Sequence, residues 1–327
     1  MHKTEKKVTY AEAVNAALRE ALADLPNTLL FGEDVAVPGG VFGVTKGLRK
    51  EFGERVFDTP ISESAILGGA IGSALVGMRP IVEIMWADFS LVALDQIVNQ
   101  AANVRYISRG QLSAPMTIRT QQGVGPGACA QHSQNLEAIF AHVPGLQVCM
   151  PSSVQDAYEL LRTAIRSDDP TIVIENRNLY HGAKEDIVLG GDVEPLGGAA
   201  VRRSGRDVTV VSWGAMVRRA LEAADLLEAE GISPEIVDLR WIRPLDITTV
   251  LASVAKTRRL LVVHEAHRFL GTGAEIVAEV AGTDLDLVAR PVRLGAPDVR
   301  IPAAPSLLEA VIPTPANILE AVQTMIR

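Results

Sequence analysis

Cysteine is almost missing from this chain of 327 residues: Cys129 and Cys149 are the only two. Two thiols cannot staple a chain of this length, and no CxxC pair is present to suggest a zinc or redox centre. That scarcity fits a reducing compartment, and the expected setting is the cytoplasm. Aromatic residues are also few, with three Trp, four Tyr and seven Phe, which argues against a protein that stacks on single-stranded bases. Positive charge is in deficit, with 31 Lys and Arg against 39 Asp and Glu and a net charge of −8, so a nucleic-acid partner is not expected. The longest charge-free apolar run, interrupted by Gly68, Gly69, Gly72 and Gly77, is too short for a membrane span. The N-terminus carries mixed charge rather than an apolar signal core. Several motifs are absent too: a Walker A loop, a complete dinucleotide fingerprint (Gly271-Thr272-Gly273 lacks its third glycine), a Gly-x-Ser-x-Gly elbow, HExxH and an Asp-rich calcium loop.

What is present reads as a globular α/β chain, with 48% apolar and 21% charged residues and a length suited to about two domains. Thr9, with Glu12 three residues on, starts a helix that runs to Leu25. Short apolar strands are expected at 28–32, 56–58, 81–86, 116–119, 148–151 and 171–175. Helices are expected at 64–78, from Phe89 to Ser108, and at 154–166 behind Ser153. Alternation of strand and helix implies a mainly parallel sheet flanked by helices. Periodicity fades around Gly190-Gly191 and Gly197-Gly198, so the domains are placed at 1–190 and 207–327, with a linker at 191–206. A second α/β unit follows, with strands near 207–213, 235–239 and 260–264. Its helices fall near 215–230, after Pro244-Leu245-Asp246, at 273–281 and once more near the C-terminus.

Single residues leave several readings open. Gly68, Gly72 and Gly77 in one helix imply a close neighbour, either another element of the chain or a subunit or cofactor. Glu63 is either a first-turn acid favoured by the helix dipole or a chemically active carboxyl. Cys129 near His132 reads as a small buried residue in a glycine loop or, less economically, as a thiol nucleophile. The pair His264 and His267 is weak support for a metal.

Three ordered blocks carry more weight together: Asp58-Thr59-Pro60-Ile61-Ser62-Glu63, Trp86-Ala87-Asp88-Phe89 and Gln131-His132-Ser133-Gln134. The opening Phe31-Gly32-Glu33-Asp34-Val35, the block at 237–246 and Val262-Val263-His264-Glu265-Ala266 extend the pattern over nearly the whole length. With these blocks the chain resembles the β subunit of the E1 component of 2-oxo acid dehydrogenase complexes, of the pyruvate, branched-chain and acetoin type. It resembles the transketolase superfamily more distantly. The resemblance implies a pyrimidine-binding domain followed by a transketolase-type C-terminal domain. It also implies thiamine diphosphate shared with an α subunit, which holds the diphosphate and Mg²⁺ through a Gly-Asp-Gly motif that is absent here.

On this resemblance Glu63 is the carboxyl against ring nitrogen N1′, promoting the imino tautomer by which the cofactor deprotonates itself. Phe89 stacks on the pyrimidine. Glu33 lies by the cofactor and, with Asp95, on a proton route between active sites. His132 acts on the 2-oxo acid adduct or guides the lipoyl group. The family's K⁺ loop maps to the backbone of Met116, Ala164, Ile165, Ser167 and Asp169. Ser167 stands where an acid is commoner, which lowers the local charge. The implied assembly is an α₂β₂ heterotetramer in which the second domain meets the other β subunit and docks E2, the lipoyl acyltransferase. The implied reaction is decarboxylation of a 2-oxo acid followed by reductive acylation of E2. Ketol transfer or acetoin cleavage on the same scaffold, and a non-catalytic assembly subunit, are the alternatives.

Overall fold

The computed structural model describes residues 3–125 and 127–327, so Pro126 of the glycine-rich loop and the first two residues lie outside the described residues. The chain divides into two compact units. One holds the residues up to Gln122 together with Ile139–Leu196, and the other holds Gly123–Ala138 and Gly197–Arg327. The sequence places 123–138 in the first domain and a linker at 191–206. The structure groups 123–138 with the second unit and divides the chain between Leu196 and Gly197. Chain order alone cannot show that a loop leaves its flanking strands to bond elsewhere.

In the first unit, β1 (Thr4–Val8) is followed by β2 (Thr28–Gly32), β3 (Val56–Asp58), β4 (Arg79–Ile84), β5 (Thr117–Gln122), β6 (Gln147–Cys149), β7 (Thr171–Asn176) and β8 (Glu185–Leu189). β1 pairs antiparallel with β8. The other six run parallel in the order β6-β7-β5-β4-β2-β3. The first helix, Tyr10–Asp24, begins as expected: the Thr9 hydroxyl accepts from the Glu12 N–H and the Glu12 carboxylate accepts from the Thr9 N–H. Its buried positions Ala13, Val14, Ala17, Leu18, Ala21 and Leu22 recur every three or four residues and face the helix Val154–Arg166. Each fully buried leucine there contributes about 1.5–3 kcal/mol.

The stretch from Phe89 to Ser108, expected as one helix, is broken into a 3₁₀ turn (Ala87–Ala93), a π turn (Gln96–Gln100), a second 3₁₀ turn (Ala101–Asn103) and a short α turn (Val104–Ile107). The Asn103 amide donates to the Val98 and Asn99 carbonyls, so a side chain competes with the ladder that a regular helix would use. Ser62 occupies the N-cap of the helix Glu63–Leu75 but makes no side-chain capping bond.

In the second unit, β9 (Ala200–Arg203), β10 (Val208–Ser212), β11 (Pro234–Asp238), β12 (Trp241–Arg243), β13 (Leu260–His267) and β14 (Val292–Ala296) follow in order. Five of them form a sheet in the order β14-β13-β10-β11-β9, parallel except for the edge strand β9. β9 lies inside the expected linker. Its charged sequence hid it, because Arg202 pairs with buried Asp238 and Arg203 with Asp225 instead of burying apolar side chains. The core gathers Val208, Val210, Leu261 and Val263 of the sheet with Ala220, Leu227, Ile318 and Val322 of flanking helices. The C-terminal end is two helices, Pro305–Val311 and Pro315–Ile326, each opened by a proline.

Candidate active site

The parallel sheet of the first unit reverses its winding beside β2: β3 lies on one side of it and β4 on the other. In open α/β sheets ligands settle beyond the carboxyl ends of the strands at such a point. Glu33 follows β2 directly, Trp86–Phe89 follows β4, and Glu63 opens the helix after β3. Backbone and side-chain bonds stitch these segments together. The Thr59 N–H donates to the Gly32 carbonyl at 2.9 Å. The Asp58 carboxylate accepts from the Ala36 N–H at 2.7 Å and the Val37 N–H at 3.1 Å. The Ser64 hydroxyl donates to the Val92 carbonyl at 2.9 Å, tying the start of the Glu63 helix to the turn that carries Phe89. Gly32 is required where it stands: its φ is +155°, and a Cβ there would lie 2.6 Å from the Glu83 carbonyl oxygen.

Glu33 and Glu63 share this end of the sheet closely enough to interact. Glu33 is 8% exposed, and its Oε2 is buried with no hydrogen-bond partner among the described residues. Burial first, and then the negative charges of Glu63, Asp34 and Glu83, push its carboxyl above the ordinary range. Glu63 is half-buried. Phe89 is half-buried too, and its N–H donates to the Trp86 carbonyl at 3.1 Å. Side chains added at Gly68, Gly69 or Gly72 would meet nothing within 4 Å, so no other part of the described chain packs against that face of the helix. Asp95 stands apart in character: it is exposed and accepts from the Asn99 amide at 2.9 Å.

Beneath the strand ends lies a charged group that sequence reading did not assemble. Arg119 on β5 is fully buried and donates to Glu83 of β4 at 2.7 Å and to both carboxylate oxygens of Glu175. The Tyr180 hydroxyl donates to Glu175, and the Gln121 amide donates to Glu83 at 3.1 Å. Burial dominates the environment of Glu83 and raises its carboxyl above the usual value despite Arg119. The available signal was charge inside strands that otherwise read as fully buried. Glu83, Arg119 and Glu175 each sit in such a strand, and a buried charge requires a partner.

His132 belongs to the second unit. Its segment, 123–138, is fastened there at several points. The Val124 N–H donates to the buried Glu265 carboxylate, the Gly127 N–H to the Ala303 carbonyl at 3.1 Å, and the Trp213 indole N–H to Glu137 at 3.2 Å. Trp213 in turn stacks on His264, with ring centres 5.2 Å apart. His132 is half-buried, while Cys129 is exposed at φ +53° rather than a small buried residue.

The five carbonyls of the expected K⁺ loop each accept a hydrogen bond within the chain. Arg79 donates to Ile165 at 3.3 Å and Ser167 at 2.9 Å, the Ser167 N–H to Ala164, the Thr171 N–H to Met116 and the Thr171 hydroxyl to Asp169. The Arg79 guanidinium brings a fixed positive charge to this loop, and each carbonyl keeps a second lone pair. Among the described residues no group of three or more His, Cys, Asp or Glu could hold a metal ion, and no helix is long and apolar enough to cross a membrane.

Comparison with known proteins decides the family. The family described as "Transketolase, pyrimidine binding domain" matches residues 6–182, and "Transketolase, C-terminal domain" matches residues 197–318. The β subunit of pyruvate dehydrogenase E1 from Bacillus subtilis is 43% identical over 323 residues, covering 98% of this chain and 99% of that protein. The chain belongs to the E1 β subunits of the transketolase superfamily. The β subunit of acetoin:2,6-dichlorophenolindophenol oxidoreductase from Cupriavidus necator is also 43% identical, over 97% of this chain and 96% of its own length. A mitochondrial pyruvate dehydrogenase E1 β subunit from Oryza sativa is 42% identical over 97% of this chain and 85% of its own. Among solved structures, a split-gene transketolase described as an inactive β4 tetramer matches with a TM-score of 0.78 and 26% identity, covering 98% of this chain and 99% of that one. A transketolase variant from Pichia stipitis shares the fold alone, with a TM-score of 0.71 and 16% identity over 98% of this chain and 46% of its own. The E1 β sheet that carries Glu33, Glu63 and Phe89 lies within the pyrimidine-binding match, and so does the His132 loop.

Proposed function

We propose that this E1 β chain completes a thiamine diphosphate site whose diphosphate and Mg²⁺ are held by an α subunit, in an α₂β₂ enzyme that decarboxylates a 2-oxo acid. The acyl group would then pass reductively to the lipoyl group of E2. The observation that carries the reading is the acid pair at the sheet's winding reversal, with a buried carboxyl oxygen of Glu33 that finds no hydrogen-bond partner among the described residues. A carboxyl whose proton affinity is raised by burial beside a second carboxyl suits the edge of a basic ring nitrogen. When bound, the cofactor supplies a nucleophilic carbon and an electron sink. Glu63 is assigned to the pyrimidine nitrogen, where it holds and returns one proton. Glu33 is assigned as the proton store beside it, and Phe89 as the apolar face that fixes the ring and excludes water. His132, carried by the second unit, is assigned to the substrate carbonyl or to the arriving lipoyl group. Asp95 is kept as the outer member of the proton route.

The uncovered glycine face of the helix Glu63–Leu75 supports a subunit contact there. The described inactivity of the β4 transketolase supports the need for an α chain. A potassium ion in this loop would use the second lone pairs of these carbonyls, beside Arg79. The sparse cysteine content supports a cytoplasmic setting. The identity to an acetoin oxidoreductase subunit keeps acetoin among the substrates to assay.

Glu63→Gln in the co-purified αβ pair tests the assignment. Folding should be preserved and decarboxylation should fall by about two orders of magnitude or more, the range for loss of general acid–base catalysis. Wild-type turnover in that variant removes Glu63 from the mechanism. Rates of the unmodified pair on pyruvate, 3-methyl-2-oxobutanoate and acetoin separate the substrates.

A further inference from the structure

Trp86 has φ +72° and ψ 128°, a backbone conformation that bulky L-residues rarely adopt. Strain of this kind persists only where the surroundings hold it. The indole is pinned on two sides, by the Phe42 ring edge-on at 5.4 Å and by the Arg177 guanidinium 4.9 Å above its face. Gln121 holds the backbone at the N–H of Trp86. The Gln121 side-chain oxygen accepts from the Trp86 N–H at 3.2 Å, and the same carboxamide donates to Glu83 at 3.1 Å. Two residues after Trp86 the chain reaches Asp88 and then Phe89, whose N–H closes the turn on the Trp86 carbonyl.

We propose that Gln121 is a positioning residue: its carboxamide, wedged between the Glu83 carboxylate and the Trp86 N–H, holds the left-handed turn that presents Phe89. The residue type follows from chemistry. One neighbour is an acceptor and the other a donor, so the bridging group must donate at one end and accept at the other. A carboxamide does both, and a carboxylate does so only while protonated. Gln121 is fully buried, so it acts through Trp86 rather than on a ligand. Its anchor is rigid, because Glu83 is clamped by Arg119, which is clamped in turn by Glu175. Arg119 and Gln121 lie two apart on β5 and share a face, so one strand fixes both ends of the chain of bonds.

The inference rests on the reading of Phe89 as the aromatic against the pyrimidine, and the experiment separates the two. Gln121→Leu, Gln121→Glu and Phe89→Ala are compared in two measurements. The first is fluorine NMR of the full β chain labelled with 5-fluorotryptophan, the Trp86 line being identified with Trp86→Phe. The second is thiamine diphosphate affinity of the αβ enzyme at saturating Mg²⁺ as a function of pH. Gln121→Leu should shift the Trp86 line and weaken the cofactor about tenfold, about 1.4 kcal/mol, with kcat largely restored at saturating cofactor. Gln121→Glu should bind nearly as well as wild type in acid and lose affinity more steeply than wild type as pH rises. Should Gln121→Leu fail to fold, the isosteric Glu variant decides alone. Weakened binding in Phe89→Ala with an unmoved Trp86 line and unchanged affinity in the Gln121 variants overturns this inference and leaves the site assignment standing. Unchanged affinity in Phe89→Ala overturns the assignment, and the role of Gln121 with it.

Discussion

Replacing Arg119 with Met should be the most damaging single change to the first unit, and its effect should depend on pH. The guanidinium makes three side-chain bonds of 2.7 Å, one to Glu83 and two to Glu175, and all three residues are at most 3% exposed. Met removes the only cation of the group and leaves two carboxylates facing each other out of water. Breaking a buried pair by removing one partner costs about 3–5 kcal/mol. For a unit of this size that corresponds to a fall in melting temperature of about 6–20 °C. The carboxylates can escape by taking protons. Glu83 is already raised in the intact group, chiefly by burial, and without Arg119 it must rise further. A carboxyl raised in the folded state stabilises fully below the ordinary glutamate range and loses that contribution as pH rises through its folded value. The destabilisation should therefore be small near pH 4 and reach its full size near pH 8. Urea unfolding of the full chain across that range measures it, with Arg119→Met/Glu83→Gln/Glu175→Gln expected to recover much of the loss. A penalty below about 1 kcal/mol at the alkaline end, or one of equal size at both ends, refutes the argument.

Two further outcomes are expected. Glu265→Ala removes the buried carboxylate that accepts from the Val124 N–H at the root of the His132 segment, an effect of about 1–3 kcal/mol that should reduce acyl transfer to lipoyl substrate more than thiamine diphosphate binding. Glu265→Gln keeps an acceptor and should restore transfer; equal impairment by both variants would show that the bond to Val124 is not what matters. His264 is fully buried among Gly271, Gly273 and Gly295, and burial pushes its imidazole down to about 4. A base depressed in the folded state gives stability that is complete above its unfolded value and is lost as pH falls, so acid should remove about 3 kcal/mol between roughly pH 6.5 and 4. His264→Gln should flatten that limb in a urea-unfolding pH series, and an unchanged limb would assign the acid sensitivity to other groups.

Local chemistry was legible in the amino-acid order. Thr9 with Glu12, and Ser153 ahead of Val154, fix helix starts through bonds spanning three residues, and the structure begins its helices there. Strand cores such as 28–32 and 171–175 declare themselves by apolar run length, and Glu33, Glu63 and Phe89 stand in recognisable blocks at the ends of strands. Tertiary structure decided what those blocks meet. Strand order, not chain order, sets Glu33 beside Glu63 and links Gln121 to Trp86 across 35 residues of sequence. It gathers Glu83, Arg119 and Glu175 from three strands, and it assigns the His132 segment to the second unit. The physical reason is range. Caps, turns and periodicity are settled by neighbours a few residues away. A buried charge or amide finds its partner only when strands distant in sequence are laid side by side, and single-residue preferences carry no record of which strand that will be.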